Sequence, residues 1–275
     1  MRAKDALALL LSAAGTLLAL LPFLWMLGDV VRQGLPVLLQ VGPRFLAALP
    51  PLPGQGLGGV GPSLQGTLFM SGLALALAGG LGLATGVYVA LYPNSRLSRL
   101  SRALAEAMVE FPTIVIGIVV YLLLVVPTRT FSALAGAVAL SLVMLPYVVV
   151  QVSEALRAPR QSLLEAAEAL GLRLRHTVRV LLGAAAGGVL TAFLIGLAKA
   201  MGETAPLLFT TATSFNLYLT SPLSPTSGLP VLIFFFALSP YDNWHQVAWG
   251  GSLVLALLVL LIFMGTRAAR WLGSR

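Results

Sequence analysis

The chain has 275 residues, of which 58% are hydrophobic and 9% are charged, and it carries a net charge of +8 and no cysteine. Soluble domains average about 25% charged residues, so this composition excludes an ordinary soluble domain or a disordered chain and indicates an integral membrane protein. The absence of cysteine also excludes disulfides, iron–sulfur clusters and thiolate metal sites.

Six apolar stretches are long enough to cross a bilayer, because about 20 helical residues span its ~30 Å hydrocarbon core. The stretches are residues 6–30, 64–92, 108–126, 131–152, 183–210 and 247–266. The sequence therefore predicts an all-α integral membrane protein with six transmembrane helices.

The first stretch follows Arg2 and Lys4, as the apolar core of a signal peptide would. It is apolar for more than 20 residues, however, whereas the apolar core of a signal peptide has 7–15. We therefore predict an uncleaved N-terminal transmembrane helix over residues 1–31.

Two segments between the spans have unusual compositions. Residues 32–63 are rich in Pro and Gly, so regular helix is not expected there, and the segment is interpreted either as a flexible loop or as a cap that faces a partner. The apolar run 231–238 lies between Pro230 and Pro240. It would span only about 12 Å as a helix, which predicts a re-entrant or interfacial element.

The basic residues predict the orientation of the chain. If the N-terminus is cytoplasmic, the inner segments hold thirteen of them: Arg2, Lys4, Arg96, Arg99, Arg102, Arg157, Arg160, Arg173, Arg175, Arg179, Arg267, Arg270 and Arg275. The outer segments hold Arg32, Arg44 and Arg129. Cytoplasmic loops carry an excess of Lys and Arg, so both termini are predicted to be cytoplasmic, and the net charge needs no nucleic-acid partner.

Residues that would support an enzyme are scarce. Lysine occurs only at Lys4 and Lys199, so the sequence holds no phosphate-binding loop of the G-x-x-x-x-G-K-[ST] type. The two histidines, His176 and His245, are placed where neither a metal-binding H-E-x-x-H motif nor a catalytic triad is expected. We therefore predict no catalytic residues, no metal site, no cofactor bound by this chain and no ATPase site of its own.

The longest inner segment, about residues 154–182, lies between the fourth and fifth spans. Ser162 is a plausible N-cap with Glu165 at the third helical position, and Gly171 is a plausible helix stop. This pattern predicts a short helix outside the bilayer. It is either a simple amphipathic connector or a docking helix whose small Ala166 and Ala167 let another protein approach closely.

This segment resembles a known family. Glu165-Ala166-Ala167 followed by Gly171 is similar to the EAA loop of the membrane subunits of binding-protein-dependent ABC importers. The resemblance implies a coupling helix that sits in a cleft of a cytoplasmic ATPase and transmits its motion. The Leu-Pro pair of the family is replaced by Gly183-Ala184, so the resemblance does not predict the direction of the fifth helix.

A second resemblance indicates the subfamily. The run Lys-Ala-Met-Gly-Glu-Thr-Ala-Pro-Leu-Leu over residues 199–208 resembles the fifth helix of permease subunits of the phosphate-specific ABC importer. It implies a MetI-like permease domain over residues 64–275, with a core of five helices beside the N-terminal helix. The implied function is translocation of inorganic phosphate by alternating access. A permease for molybdate or sulfate, or a channel or carrier without an ATPase, remains an alternative.

The same resemblance places the chain in the cytoplasmic membrane and implies several partners. They are a second, similar permease subunit, two cytoplasmic ATPase subunits that bind ATP and Mg, an external phosphate-binding protein and the lipid bilayer.

Two charges and a proline fall inside the fifth span. Lys199 and Glu203 lie about 24 and 30 Å from its start if it is helical throughout, and charges within a membrane indicate a functional site. They either neutralise each other as a structural ion pair or, with the Thr204 hydroxyl, line the translocation pathway. There Lys199 would attract the anion. Pro206 is expected to kink the helix, either as a gate or as a harmless bend.

Overall fold

The computed structural model describes residues 3–273, with side chains described for residues 9–265. This part of the chain is helical and contains no strand. The helices are α1 (Ala3–Val41), α2 (Gly61–Leu91), α3 (Arg96–Val109), α4 (Thr113–Val120), α5 (Val126–Thr128), α6 (Ala133–Ala169), α7 (Leu174–Ala184), α8 (Ala186–Met201), α9 (Leu207–Thr210), α10 (Leu229–Ala237) and α11 (Asp242–Gly273). A 3-10 turn, Gly42–Leu46, follows α1, and a π turn, Tyr121–Val125, joins α4 to α5.

Six membrane crossings are present if two bent helix pairs are each counted as one. The helices α1, α2, α6 and α11 are long and apolar enough to cross singly. The other two crossings are α3 with the helix Thr113–Thr128, bent by 104°, and α7 with α8, bent by 73°. The predicted all-α class is confirmed, but the third and fifth spans are not straight helices.

Each pair is bent because it joins an amphipathic helix to an apolar one. The first helices, α3 and α7, are amphipathic, whereas α4 and α8 are strongly apolar. An amphipathic helix is most stable along the membrane surface, and an apolar helix is most stable within the bilayer. The chain therefore turns between them, at residues 110–112 and at Ala185.

The centre of the fold is the parallel pair α2 and α6. A Cβ atom at Gly82 would lie 2.7 Å from Cγ1 of Val148, and one at Gly86 would lie 2.8 Å from Cβ of Val152. The same offset of 66 positions separates both pairs, so the two helices run in one direction. Small residues at such contacts let backbones approach closely, which drives helix association in membranes.

The helix α8 packs antiparallel to α6 on the same core. A Cβ atom at Gly196 would lie 2.9 Å from Cγ of Met144, and one at Gly188 would lie 2.7 Å from Cβ of Ala155. The later glycine of α8, Gly196, therefore contacts the earlier residue of α6, Met144. The α8 helix therefore runs towards the end of the bundle where α6 begins.

We call the end of the bundle where α2 and α6 finish the basic end. Its described arginines are Arg96, Arg99, Arg102, Arg157, Arg160, Arg173, Arg175 and Arg179. Arg2 and Arg275 of the predicted inner set lie outside the described residues, as do the side chains of Lys4, Arg267 and Arg270.

The first helix is longer than predicted. It continues from residue 30 to Val41 with Pro36 inside it, so the expectation of irregular chain from residue 32 is wrong for this part. Antiparallel packing of α1 on α11 explains the extension. The two helices are so close at Gly34 that a Cβ atom there would lie 2.6 Å from the Trp249 carbonyl oxygen. Contacts of this kind offset the hydrogen bond that proline removes.

Residues 47–60 of the Pro/Gly-rich segment are irregular but attached to α11. The Asn243 side-chain amide donates hydrogen bonds to the carbonyls of Leu52, Gln55 and Gly56, at 3.0, 2.7 and 3.2 Å. The indole of Trp244 donates to the Pro51 carbonyl at 3.0 Å. These bonds hold residues 51–56 as a cap on the start of α11.

The short helix α10 confirms the predicted element between Pro230 and Pro240, shifted by one or two residues. Its backbone begins with a hydrogen bond from the Leu229 amide to the Thr67 hydroxyl of α2 at 2.7 Å. Phe236 stacks on Trp244 with ring centroids 4.3 Å apart. The element is therefore packed against both α2 and α11.

Replacing Gly82 by alanine tests the α2–α6 contact. We expect Gly82→Ala to lower the free energy of unfolding by about 1–3 kcal/mol, because its Cβ has no room beside Val148. The matched control is Gly80→Ala on the same helix, where a Cβ meets nothing within 4 Å. It should be neutral or stabilising. The midpoint temperature of thermal unfolding in detergent measures both, and equal midpoints would contradict this packing.

Candidate functional site

The Glu165-Ala166-Ala167 motif lies in the last turns of α6, at the basic end. The predicted separate helix with Ser162 as its N-cap is wrong, because α6 continues through Pro159 to Ala169 without interruption. The Ser162 hydroxyl donates instead to the Pro159 carbonyl at 3.4 Å. The motif is thus a rigid extension of a membrane-crossing helix.

The predicted helix stop at Gly171 is present. Gly171 has φ +62°, which L residues with a side chain rarely adopt. Its amide donates to the Glu168 carbonyl at 3.0 Å, and the Leu172 amide donates to the Ala167 carbonyl at 2.9 Å. These two bonds form a Schellman motif, which explains why glycine ends the helix at this position.

The end of α6 presents a surface suited to a protein partner. Glu165 and Ala166 are exposed, whereas Ala167 is buried. Around Gly171 the side chains of Leu170, Leu172 and Leu174 are exposed by 74%, 40% and 55%. Exposed leucines outside the bilayer are typical of a protein–protein contact.

The bend between α7 and α8 lies where the sequence departs from the family pattern. The helix α7 ends at Ala184, and Ala185 has φ −103° and ψ 12°, outside helical values. Backbone hydrogen bonds still cross the bend, from Ala185 to the Leu181 carbonyl at 3.0 Å and from Val189 to the Ala185 carbonyl at 2.9 Å. The 73° bend between α7 and α8 is therefore a hydrogen-bonded connection between the motif and α8.

Lys199 and Glu203 form an ion pair where α8 ends. Lys199 Nζ lies 2.5 Å from Glu203 Oε1, the Lys199 side chain is 41% exposed and the Glu203 side chain is 8% exposed. Lys199 occupies the last turn of α8, and Glu203 follows its last residue by two positions. The positive charge favours the negative end of the helix dipole. Of the two roles predicted for these residues, pairing is thus present, and a role in the pathway stays a prediction.

The predicted kink at Pro206 is a complete break of the helix. The chain leaves α8 after Met201 and starts α9 at Leu207, with Pro206 as its N-cap. The Thr204 carbonyl accepts the amides of Leu207 and Leu208 at 3.1 and 3.2 Å. Broken helices at membrane depth are tolerated where protein buries them or they line a cavity, and they often form substrate sites in transporters.

The α4 helix and the start of α6 support this break. A Cβ atom at Gly117 of α4 would lie 2.6 Å from Cα of Pro206, so only glycine allows this approach. The Ser132 amide, just before α6, donates to the Thr210 carbonyl at 3.3 Å. The hydroxyl of Thr210 donates to the Pro206 carbonyl at 2.9 Å, so it is occupied by the backbone.

A groove that sequence reasoning missed opens between α6 and the α7–α8 joint. It has a volume of about 510 Å³, and its polar lining comes from Gln151, Glu154 and Thr191. Lys199 lies eight residues beyond Thr191, or about 12 Å further along α8. Gln151 and Glu154 could have been found only by asking which polar residues interrupt the apolar pattern of α6.

Glu154 also joins α3 to α6. Arg102 donates from Nε to Glu106 Oε1 and from an Nη atom to Glu154 Oε1, each at 2.8 Å. The hydrogen bond to Glu106, against the opposing effect of burial, raises the pKa of Arg102 above its ordinary value. Through its bond to Glu154, Arg102 holds the surface helix α3 on α6.

Removing Lys199 alone should destabilise the protein, because the buried Glu203 carboxylate loses its partner. We expect Lys199→Met to cost about 1–3 kcal/mol of the free energy of unfolding, Lys199→Arg to cost less, and Lys199→Met/Glu203→Gln to recover most of the loss. Tryptophan fluorescence during heating in detergent measures all three. A double variant as unstable as Lys199→Met would contradict the pairing.

Comparison with known proteins places these features in a family context. The model of the family described as binding-protein-dependent transport system inner membrane component matches residues 82–226. This range contains both the Glu165-Ala166-Ala167 motif and the ion pair.

Two named relatives match almost the whole chain. A probable phosphate transport system permease protein PstA from Methanocaldococcus jannaschii is 40% identical over 267 residues, which cover 97% of this chain and 93% of that protein. A phosphate transport system permease protein PstA from Yersinia pestis is 34% identical over 263 residues, which cover 95% and 88%. Over 77% of this chain and 94% of the other, the fold is similar to a chain of the inward-facing MetNI methionine ABC transporter, with a TM-score of 0.65 and 24% identity.

Proposed function

We propose that the chain, which belongs to the family of binding-protein-dependent transport system inner membrane components, is the permease subunit of an ATP-driven importer of inorganic phosphate. The observation that carries this function is the 40% identity to a probable phosphate permease over nearly the full length of both proteins. The chain is a multi-pass protein of the inner membrane. Its basic end would face the cytoplasm, with both termini on that side.

The end of α6 is the proposed contact with the ATPase. Glu165, Ala166, Ala167 and Gly171 would sit in a cleft of the ATPase subunit, and two observations support this. The motif lies in the last turns of a helix of 37 residues, which is longer than the about 20 residues that cross a bilayer, and exposed leucines surround it. Because α6 is continuous from Ala133 to Ala169, a displacement of the motif would move the whole helix.

The broken helix with Lys199, Glu203 and Thr204 is the proposed part of the translocation pathway. Lys199 is paired but still 41% exposed, so it can attract an anion while Glu203 limits how tightly the anion is held. The groove lined by Gln151, Glu154 and Thr191 would continue this route to the basic end. Pro206 would let the chain beyond α8 shift between outward and inward states.

The proposed complex has five chains, including this one. A second permease subunit of the PstC type would supply the other wall of the pathway. Two ATPase subunits of the PstB type would bind ATP and Mg, and an external binding protein of the PstS type would deliver phosphate. The ATP and Mg would belong to the ATPase subunits.

Reconstitution tests the substrate and the energy source. The chain should co-purify with a second permease and an ATPase, and proteoliposomes of this complex should take up ³²P-phosphate only with ATP and the binding protein. Excess unlabelled phosphate should suppress the uptake, and sulfate and molybdate should not. Preferential uptake of sulfate or molybdate would make it a related oxyanion permease, and transport by the chain alone would make it a channel or a carrier.

Charge reversal at Glu165 tests the ATPase contact. We expect Glu165→Lys to reduce ATP-dependent phosphate uptake by about tenfold or more, because a charge at the centre of an interface is reversed. Glu110→Lys is the matched control, since Glu110 is exposed at the basic end but lies at the end of α3. Uptake in membrane vesicles and recovery of the ATPase with the tagged permease are the measurements. Full coupling in the Glu165→Lys complex would refute the proposed role.

A further inference from the structure

A small cavity at the basic end is lined by four arginines and shares no lining residue with the groove of the proposed pathway. Its volume is about 170 Å³, and it lies between the end of α2, the surface helix α3 and the last part of α6. Its polar lining consists of Arg99 and Arg102 from α3, Arg157 and Arg160 from α6, and the hydroxyl residues Ser98 and Ser153.

The arginines of this cavity are only partly neutralised. Arg102 is paired with Glu106 and Glu154, and Arg157 shares Glu154 at 3.3 Å. Among the described residues, neither Arg99 nor Arg160 forms an ion pair. Four guanidinium groups thus face two carboxylates, which leaves a local charge of +2 on the cavity.

One of the unpaired arginines has a buried donor without an acceptor. The Nε atom of Arg160 is buried and has no hydrogen-bond partner among the described residues. Buried N–H groups in folded proteins are almost always satisfied. Arg160 also lines the cavity, so an anion bound there would supply an acceptor near this donor.

The two hydroxyl groups of the cavity do not accept from Arg160 Nε, which has no hydrogen-bond partner among the described residues. Ser98 donates to the Val89 carbonyl at 3.4 Å, and Ser153 donates to the Val150 carbonyl at 2.8 Å. Their bonds hold the wall of the cavity in place. The donors that remain available to an anion belong to Arg99 and Arg160, together with the N–H groups of Arg157 that do not contact Glu154.

We infer that the cavity bounded by Arg99, Arg102, Arg157 and Arg160 is an anion site that binds a phosphate group. Arginine forks match the oxygens of phosphate, and here they converge from two different helices. A tetrahedral group with several oxygens can accept from both helices at once, whereas a planar carboxylate accepts mainly within its own plane. The site is independent of the proposed transport function.

Two sources can supply this phosphate group. The cavity lies at the basic end, which in the proposed orientation faces the cytoplasm and its free inorganic phosphate. It also adjoins the membrane surface, because α3 exposes Leu97, Leu100 and Leu104 by 55–58% along one face. This apolar face would lie in the bilayer and bring the headgroups of anionic lipids near the cavity.

The experiment uses the full chain in lipid nanodiscs. In nanodiscs of phosphatidylcholine alone, equilibrium binding of ³²P-phosphate is measured. In nanodiscs of phosphatidylcholine with phosphatidylglycerol, native mass spectrometry counts the phosphatidylglycerol molecules that stay bound. Both measurements compare the unmodified chain with Arg99→Gln/Arg160→Gln, which removes the two unpaired arginines, and with Arg99→Lys/Arg160→Lys, which keeps the charge but removes the fork.

Arg96→Gln is the matched control, because Arg96 is exposed on α3 and does not line the cavity. We expect the glutamine double variant to weaken phosphate or phosphatidylglycerol binding by about tenfold or more, the lysine variant to weaken it less, and the control to leave it unchanged. Loss of bound ³²P-phosphate assigns the site to free phosphate, and loss of retained phosphatidylglycerol assigns it to a lipid.

Two results would overturn the inference. One is that no phosphate and no excess of phosphatidylglycerol binds to the unmodified chain. The other is that Arg96→Gln reduces binding as much as the double variant does, which would mean a general effect of surface charge. Phosphate bound at Lys199 is distinguished from phosphate bound in the cavity, because binding at Lys199 would persist in the arginine variants. An unchanged unfolding midpoint of each variant verifies that it is folded.

Discussion

The close parallel contact between α2 and α6 is the interaction on which the rest of the structure depends. Within a bilayer the hydrophobic effect does not drive helices together, so association relies on packing and on backbones that can approach. Gly82 and Gly86 provide that approach against Val148 and Val152. With α6 held in this way, α8 can pack on it and place the ion pair, and α3 can attach through Arg102 and Glu154.

The helix α6 physically joins the two ends of the molecule. Its 37 residues correspond to about 55 Å of helix. The Glu165 motif lies near the C-terminal end of α6. At the N-terminal end, the Ser132 amide, one residue before the helix, donates to the Thr210 carbonyl beside the broken helix. The two prolines inside α6 do not interrupt it. A movement imposed at Gly171 therefore has a continuous route to the segment that follows Lys199 and Glu203.

Local signals in the sequence were most informative where a single residue has a specific chemical requirement. Gly171 after the helical run predicts a helix stop, and its left-handed backbone confirms this. The capping pattern at Ser162 predicts an N-cap, and this is wrong because the pattern cannot show that α6 is already helical through Pro159. Pro206 likewise indicated a disturbance, but whether the helix bends or breaks depends on its contact with Gly117 of α4.

Composition, span length and arginine placement determine the all-α membrane class, the basic end and, with each bent helix pair counted as one span, the number of crossings, because these follow from the cost of burying polar groups in lipid. The Glu165-Ala166-Ala167 and Lys199–Pro206 runs were sufficient to indicate the family. The cap held by Asn243, the break at Pro206 against Gly117 and the arginine-lined cavity were decided by tertiary packing. Each of them depends on residues from helices far apart in the chain, which no local pattern can bring together.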